Sequence, residues 1–320
     1  MKKQILKYLI EKDDFISGEE LSNIFNVSRT AIWKHINNLK KEGYLIESVN
    51  KKGYKLLNRP DILDENIIKE DLKTKNFGKH IYHFESLDST NDYIKNNYLK
   101  LNDKDIIIAE EQTKGRGRTN RYWHSKKGEG IWMSMYLKPD ILPFKAPIIT
   151  QLTGASIIKA LDNLGVKTSI KWPNDIFFNG KKLCGILTEM KLEVSDLEYI
   201  IVGIGMNVNS LDFDDEIKNI ATSIKAEGFD IKRVDIIREI LKEFENFYID
   251  YIENENKSFM DICKERSNIV GENIFVIKNN EKIKAKAIDL NKDGNLIVLY
   301  EDKKEEELFS GEVSIRKDAK

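Results

Sequence analysis

Ser169-Ile170-Lys171-Trp172-Pro173-Asn174-Asp175-Ile176-Phe177-Phe178-Asn179-Gly180-Lys181-Lys182-Leu183-Cys184-Gly185-Ile186-Leu187-Thr188-Glu189 decides the fold class. A strand runs to the proline and the two polar residues after it. Asn179-Gly180 is then the strongest hairpin signal in the chain, because both central residues of a type I′ turn need a positive φ. A hairpin pairs its strands antiparallel, whereas a doubly wound sheet joins parallel strands through helical crossovers. With strands outnumbering helices, the body is expected to be α+β. The same register puts Lys182 on a strand paired with the one leaving Asp175, and Gly185 leaves room beside it. From the residues alone, an exposed strand lysine is the better account of Lys182.

Working outward, Tyr199–Val208 forms a further strand containing Gly203, Gly205 and Asn207. Its Gly-Ile-Gly lacks the third glycine and following helix of a dinucleotide fingerprint. Upstream, Ile148 to Leu161 carries apolar residues at helical spacing and Gly130–Leu137 reads as a strand. Before them a buried strand over 105–112 enters Thr113-Lys114-Gly115-Arg116-Gly117-Arg118-Thr119-Asn120-Arg121-Tyr122-Trp123. Glycines let backbone N–H groups approach a ligand, and arginines add fixed charge, so this loop suits phosphate. No helix follows as in a Walker A motif, and a flexible basic surface loop remains the alternative. Further upstream, a strand at Ile81–Phe84 leads to Ser86-Leu87-Asp88-Ser89-Thr90-Asn91-Asp92, where hydroxyls crowd a helix start suited to a polar ligand head. Plain capping by Ser89 or Thr90 explains the same residues.

The first 60 residues read differently. Ile5, Leu6, Leu9 and Ile10 share a helical face, and Ser17-Gly18-Glu19-Glu20 has the form of a capping box. A short helix with Leu21, Ile24 and Phe25 follows, Asn26-Val27 turn the chain, and Ser28 caps a helix burying Ile32, Ile36 and Leu39 up to Gly43. Two strands flank a Lys51-Lys52-Gly53 tip, making a wing. Ser28, Arg29, Thr30, Trp33, Lys34 and Asn37, with Lys51 and Lys52, are the candidate DNA contacts. A solvated three-helix adaptor is the competing reading. Arg59-Pro60-Asp61 marks a linker.

Charge supports this division. The 320 residues carry a net charge of −1, but residues 1–60 hold 12 Lys and Arg against 7 Asp and Glu, a local +5 that leaves −6 on the rest. Two cysteines, Cys184 and Cys263, are too few for a disulfide framework, which points to a reducing cytoplasm. No stretch reads as a membrane span, Asp13 and Asp14 interrupt any signal peptide, and the four histidines lack metal-ligand spacing.

Gly115-Arg116-Gly117-Arg118 with Trp123, Lys171-Trp172-Pro173-Asn174-Asp175, Lys182-Leu183-Cys184-Gly185-Ile186-Leu187 and Gly205-Met206-Asn207, in this order behind a winged helix, resemble the bifunctional biotin protein ligases that also repress biotin genes. The resemblance covers essentially the whole chain. It implies a winged helix-turn-helix domain over 1–60 and a mixed-sheet, class II synthetase-like ligase domain over 66–268. It also implies a small Src-homology-3-like β-barrel over 269–320, with strands at Asn273–Ile277, Ile283–Asp289, Leu296–Tyr300 and Glu312–Ile315 and a turn at Asp293-Gly294.

The implied substrates are biotin and ATP with Mg²⁺, giving biotinyl-5′-adenylate and then a biotinylated lysine on a biotin carboxyl carrier protein domain. Carried over, Ser89, Thr90, Asn91, Gln112, Gly115, Arg116, Gly117, Arg118, Trp123, Lys182, Gly185 and Gly205 would bind biotin. Arg116, Arg118, Arg121, Asn174, Asp175, Lys182 and Asn207 would bind ATP or the adenylate, with Mg²⁺ near Asp175 and with Lys182 and Arg118 catalytic. The glycine-arginine loop would be mobile when empty, and adenylate binding would order it, favouring a homodimer spaced for two-fold operator DNA. Asn120, where many relatives have glycine, and Cys184, where alanine or glycine is usual, depart from the pattern; an asparagine should still let the loop close. A lipoate or octanoate transferase and a non-catalytic ligand-sensing transcription factor are the rival readings.

Overall fold

The computed structural model describes residues 1–41, 43–58, 61–194, 196–278, 281–309 and 314–317. The chain divides into two compact units, Met1–Ile62 and Leu63–Lys320. Residues 59 and 60 of the expected linker lie outside the described residues, as does Glu312 at the start of the last expected strand.

The first unit contains α1 (Lys2–Lys12), α2 (Gly18–Phe25), α3 (Arg29–Lys41) and a hairpin of β1 (Leu45–Val49) and β2 (Gly53–Asn58). Ser17 accepts the Glu20 N–H at 3.0 Å as expected, but the Glu20 carboxylate accepts the Tyr8 hydroxyl at 3.4 Å, so the described bonds make half a capping box. Ser28 caps α3 through the Ala31 N–H, and Gly43 ends it with φ 92°. Ile5, Leu9, Leu21, Ile32, Ile36 and Leu39 form the small core, while Ile24 of α2 faces solvent. The segment before α2 is bridged to the wing where Ile16 and Tyr54 exchange backbone hydrogen bonds. Gly53 makes this possible: at φ 109°, a Cβ there would lie 2.0 Å from the Ile16 carbonyl oxygen.

The second unit begins with α4 (Glu65–Glu70), β3 (Ile81–Phe84), α5 (Thr90–Asn97), β4 (Ile106–Ala109), β5 (Gly130–Leu137) and α6 (Ile148–Asn163). It continues through β6 (Ser169–Lys171), β7 (Asp175–Phe178), β8 (Lys181–Glu193), β9 (Asp196–Asn207), α7 (Arg233–Asn254) and α8 (Phe259–Glu265). The seven-stranded sheet has the order β3-β4-β5-β9-β8-β7-β6. Only β3 and β4 pair parallel within it, so the sheet is mixed and the body α+β.

Side chains alternate across the pleat. Ile131, Met133 and Met135 of β5, with Val202, Ile204 and Met206 of β9, pack into the large core with α6 and α7. The opposite face carries Tyr136, Tyr199 and Ile201 under α5, and further along the same strands the small residues Ser134, Gly203 and Gly205. That change from large to small opens the site.

A five-stranded antiparallel sheet follows, from β10 (Asn273–Lys278), β11 (Glu281–Leu290), β12 (Leu296–Tyr300), β13 (Glu305–Leu308) and β14 (Ser314–Lys317), ordered β13-β12-β11-β10-β14. Sequence reading does not bring out β13. Ile274, Val276, Leu290, Leu296 and Val298 join the same core as the seven-stranded sheet, and the Trp172 indole donates to the Gly294 carbonyl at 2.8 Å. Among the described residues, no helix is long and apolar enough to cross a membrane.

Candidate active site

A cavity of about 950 Å³ opens over the small-residue end of β5, β8 and β9. Its floor is set by backbone. Gly185 and Gly205 are directly opposed in the β8/β9 ladder, and the Trp123 ring lies on them. A Cβ on Gly205 would meet the Trp123 Nε1 at 2.6 Å, and one on Gly185 the ring edge at 3.3 Å. Trp123 hangs from the glycine-arginine segment, which closes on itself: Gly117 donates to the Arg121 carbonyl at 2.8 Å and Trp123 to the Gly115 carbonyl at 2.9 Å. The left-handed residue of this loop is Thr119 (φ 55°), immediately before Asn120.

Lys182 and Asp175 form the charged centre, 2.7 Å apart, and the ammonium stands 5.1 Å from the centre of the Trp123 ring. The hairpin register creates this pairing: β7 and β8 run antiparallel from Asn179-Gly180, Asp175 faces Gly185, and the glycine leaves the lysine room to reach back. Asn174 donates to the Ile186 carbonyl at 2.8 Å, and Arg118 donates to Asn174 Oδ1 at 3.3 Å. Burial lowers the Arg118 pKa, Asp175 opposes that shift, and Arg121 reinforces it. Arg121 lies on the exposed rim. Asn207 is buried and donates to the Thr222 carbonyl at 3.1 Å.

The cavity is also lined by a buried polar chain. Ser89 caps α5, and Gln112 Oε1 accepts both the Thr90 N–H at 2.9 Å and its hydroxyl at 3.1 Å. Ser134 lies 2.6 Å from both the Thr90 hydroxyl and Asn91 Oδ1, and Gln112 donates to Ser125 at 3.0 Å. Asn91 continues to the Glu189 carboxylate at 2.8 Å. Burial raises the Glu189 pKa, but Lys95, Asn91 and Arg116 together hold it below the usual carboxylate range. The Arg116 guanidinium turns to this wall, 2.5 Å from Asp92 and 3.4 Å from Glu189.

Sequence reading therefore brings together residues the fold does assemble, but it misses several neighbours. Ser125, Ser134, Asp92 and Glu189 complete the polar wall, and residues 210–221 line the cavity beyond Lys182. That segment is tied down by the Lys182 N–H donating to the Ile220 carbonyl at 2.7 Å and by Asp214 against His124 at 2.7 Å. No local motif announces such pairings between distant residues. Both cysteines are buried, which pushes the Cys184 thiol far up and the Cys263 thiol up to about 12; neither offers an accessible nucleophile.

In the first unit, Ser28 at the start of α3 and Arg29, Thr30, Trp33 and Lys34 on it are exposed, Trp33 by 59%, with Asn37 half-buried beside them. Trp33, Lys34, Asn37, Asn38, Lys40 and Lys41 line a shallow groove. Lys51 and Lys52 are exposed at the wing tip. A helix offering donors and one aromatic face, flanked by a basic hairpin, has the chemistry of a groove-reading module.

Residues 83–207 match the biotin/lipoate A/B protein ligase family, 2–55 a helix-turn-helix domain, and 269–316 the biotin protein ligase C-terminal domain. The chain is 39% identical over 311 residues to the bifunctional ligase/repressor BirA of Bacillus subtilis, covering 93% of this chain and 95% of that protein. Against the Escherichia coli BirA it is 28% identical over 311 residues, covering 96% and 95%. The biotin protein ligase of Aquifex aeolicus, solved in complex with biotin and ATP, superposes with a TM-score of 0.66 at 30% identity over 75% of this chain and 100% of that one. With a ligase core, a DNA-binding head and near full-length similarity to both relatives, the chain belongs to the family of bifunctional biotin protein ligase/repressors.

Proposed function

We propose that this chain joins biotin to ATP as biotinyl-5′-adenylate, passes the biotinyl group to a lysine of a biotin carboxyl carrier domain, and represses biotin genes when it holds the adenylate. The observation that carries the enzymatic reading is Lys182, paired to Asp175 at 2.7 Å beside a tryptophan lying on two opposed glycines. Here a cation stands beside an apolar indole ring, the combination a carboxylate on an aliphatic tail needs.

In the first half-reaction a biotin carboxylate oxygen attacks the α-phosphorus and the bond to pyrophosphate breaks. Two anions must meet, so positioned positive charge matters more than proton transfer. Ser89, Thr90 and Gln112 take the ureido ring, Trp123 covers the tail, and Lys182 bridges the carboxylate and α-phosphate. Arg118 and Arg121 face the phosphates, and Asn207 contacts the nucleotide. Asp175, with Asn174 beside it, fits one Mg²⁺, an ion commonly held by one or two carboxylates together with substrate phosphates. When bound, the ion neutralises the leaving pyrophosphate. In the second half a carrier lysine amine attacks the acyl carbon and AMP leaves. Buried thiols disfavour an octanoyl transferase working through a cysteine nucleophile.

The head supports operator reading through Arg29, Thr30, Trp33, Lys34 and Asn37 on α3. Two heads, spaced by a homodimer that the adenylate favours, would match a two-fold operator. Incubation with radiolabelled biotin, ATP, magnesium and a carrier domain tests the ligase. ATP-dependent label on the carrier is expected. Label from lipoate or octanoate instead, or no label with operator binding intact, selects a rival.

A further inference from the structure

We propose that Arg116 acts as a positioning residue, clamping the start of the glycine-arginine loop to α5 and β8 through Asp92 and Glu189, and does not ligate phosphate. The inference rests on the ligase reading above. Arg116 Nη2 lies 2.5 Å from Asp92 Oδ1 and 3.4 Å from Glu189 Oε1, and all three side chains are about one quarter to one third exposed. Lys95 also reaches both carboxylates, at 3.7 Å and 2.7 Å. Two cations and two carboxylates thus cancel locally, and little of the Arg116 charge remains for a triphosphate.

Arg118 is placed differently. It donates to Asn174 and feels Asp175, on the wall that holds Lys182. The two arginines of Gly115-Arg116-Gly117-Arg118 therefore go to different partners, Arg116 to Asp92 and Glu189 and Arg118 to Asn174. The clamp joins three elements where the polar chain for a ligand head sits: Asp92 lies in the first turn of α5 after Ser89 and Thr90, and Glu189 also accepts the Asn91 amide. Gly115, adjacent to the clamp, receives the Trp123 N–H, so the clamp also fixes the origin of the tryptophan cover. A charge-assisted pair partly withdrawn from water contributes more than a fully exposed one, and here its release would free the loop over the ligand.

The test uses full-length wild type, Arg116→Gln, Asp92→Asn and the double variant. Pyrophosphate release gives KM for biotin and for ATP, a chase with unlabelled ligand gives the dissociation rate of biotinyl-5′-adenylate, and thermal unfolding checks the fold. Each single variant should speed adenylate dissociation by about tenfold and raise the biotin KM similarly, with the ATP KM within about twofold of wild type. The double variant should be no worse than either single, since both break the same contact. Both contacts come from Nη2, so Arg116→Lys keeps the charge but carries it on a shorter side chain and should fall in between; it also serves if Arg116→Gln fails to fold. A raised ATP KM with unchanged biotin KM, additive effects in the double variant, or wild-type behaviour of Asp92→Asn would overturn the clamp. A wild-type chain that forms no adenylate removes the ligase reading and the clamp together, whereas normal wild-type synthesis with unaffected variants removes the clamp alone.

Discussion

Lys182 is held by Asp175 within a cavity wall, and neither side chain is fully buried or fully exposed. Such a lysine has a fixed direction, as charge neutralisation between two anions requires. Lys182→Ala should reduce adenylate formation at least about 100-fold, the scale of a lost transition-state charge partner, while circular dichroism and unfolding stay near wild type. Lys182→Arg should not restore the rate, because a planar fork does not replace a compact ammonium. Wild-type pyrophosphate release from either variant would remove Lys182 from the mechanism. A second residue governs stability instead. Burial acts to raise the Glu110 pKa, but His83, the Arg233 guanidinium and the Leu63 N–H prevail and hold it at about 2. A carboxylate with a depressed folded-state pKa stabilises above its ordinary range, and that contribution is lost as pH falls towards 2. Glu110→Gln would take this carboxylate from an Arg233 that is 1% exposed, costing about 3–5 kcal/mol near neutrality. Urea midpoints between pH 7 and 2.5 should then fall less steeply in the variant; parallel curves would contradict the assignment.

At the scale of elements, the paired strands matter through what they lack. Gly205 on β9 is held between β5 and β8, so a Cβ 2.6 Å from the Trp123 indole nitrogen cannot be relieved by moving the strand. Gly205→Ala should lift Trp123 and raise the biotin KM at least about tenfold with the fold retained, read by biotin titration; strain of this kind costs roughly 1–3 kcal/mol. Gly53 plays a comparable part in the wing. Gly53→Ala meets the Ile16 carbonyl at 2.0 Å and a positive φ, so the wing should separate from the chain before α2. Because the first unit has its own core, operator binding should be lost in gel shifts while ligase activity persists. These elements differ in how legible they are. Asn179-Gly180, Ser17, Ser28 and Gly43 announce their turns and caps locally. The amphipathic α7, whose Ile237, Leu241, Phe244 and Tyr248 face the core, is present in the sequence but carries no motif, and so escapes a reading led by motifs.

For the whole molecule, the expected behaviour is coupling between two compact units of opposite net charge. Adding biotin and ATP should tighten operator binding and move sedimentation towards a dimer, and higher salt should weaken binding through counterion release. Operator affinity that ignores both ligands would remove the coupling and leave DNA binding itself intact. The sequence by itself determined the α+β class, the winged head, the antiparallel β7/β8 hairpin and many of the residues that line the cavity. Each of these depends on turns, caps and spacing within a few residues. The tertiary structure decided which residues meet. It opposed Gly185 to Gly205 under Trp123, brought Arg116 to Asp92 and Glu189, set His124 against Asp214, and merged the last sheet into the central core. Those contacts join residues distant in the chain, and their partners follow from strand order and packing, which no local pattern of residues specifies.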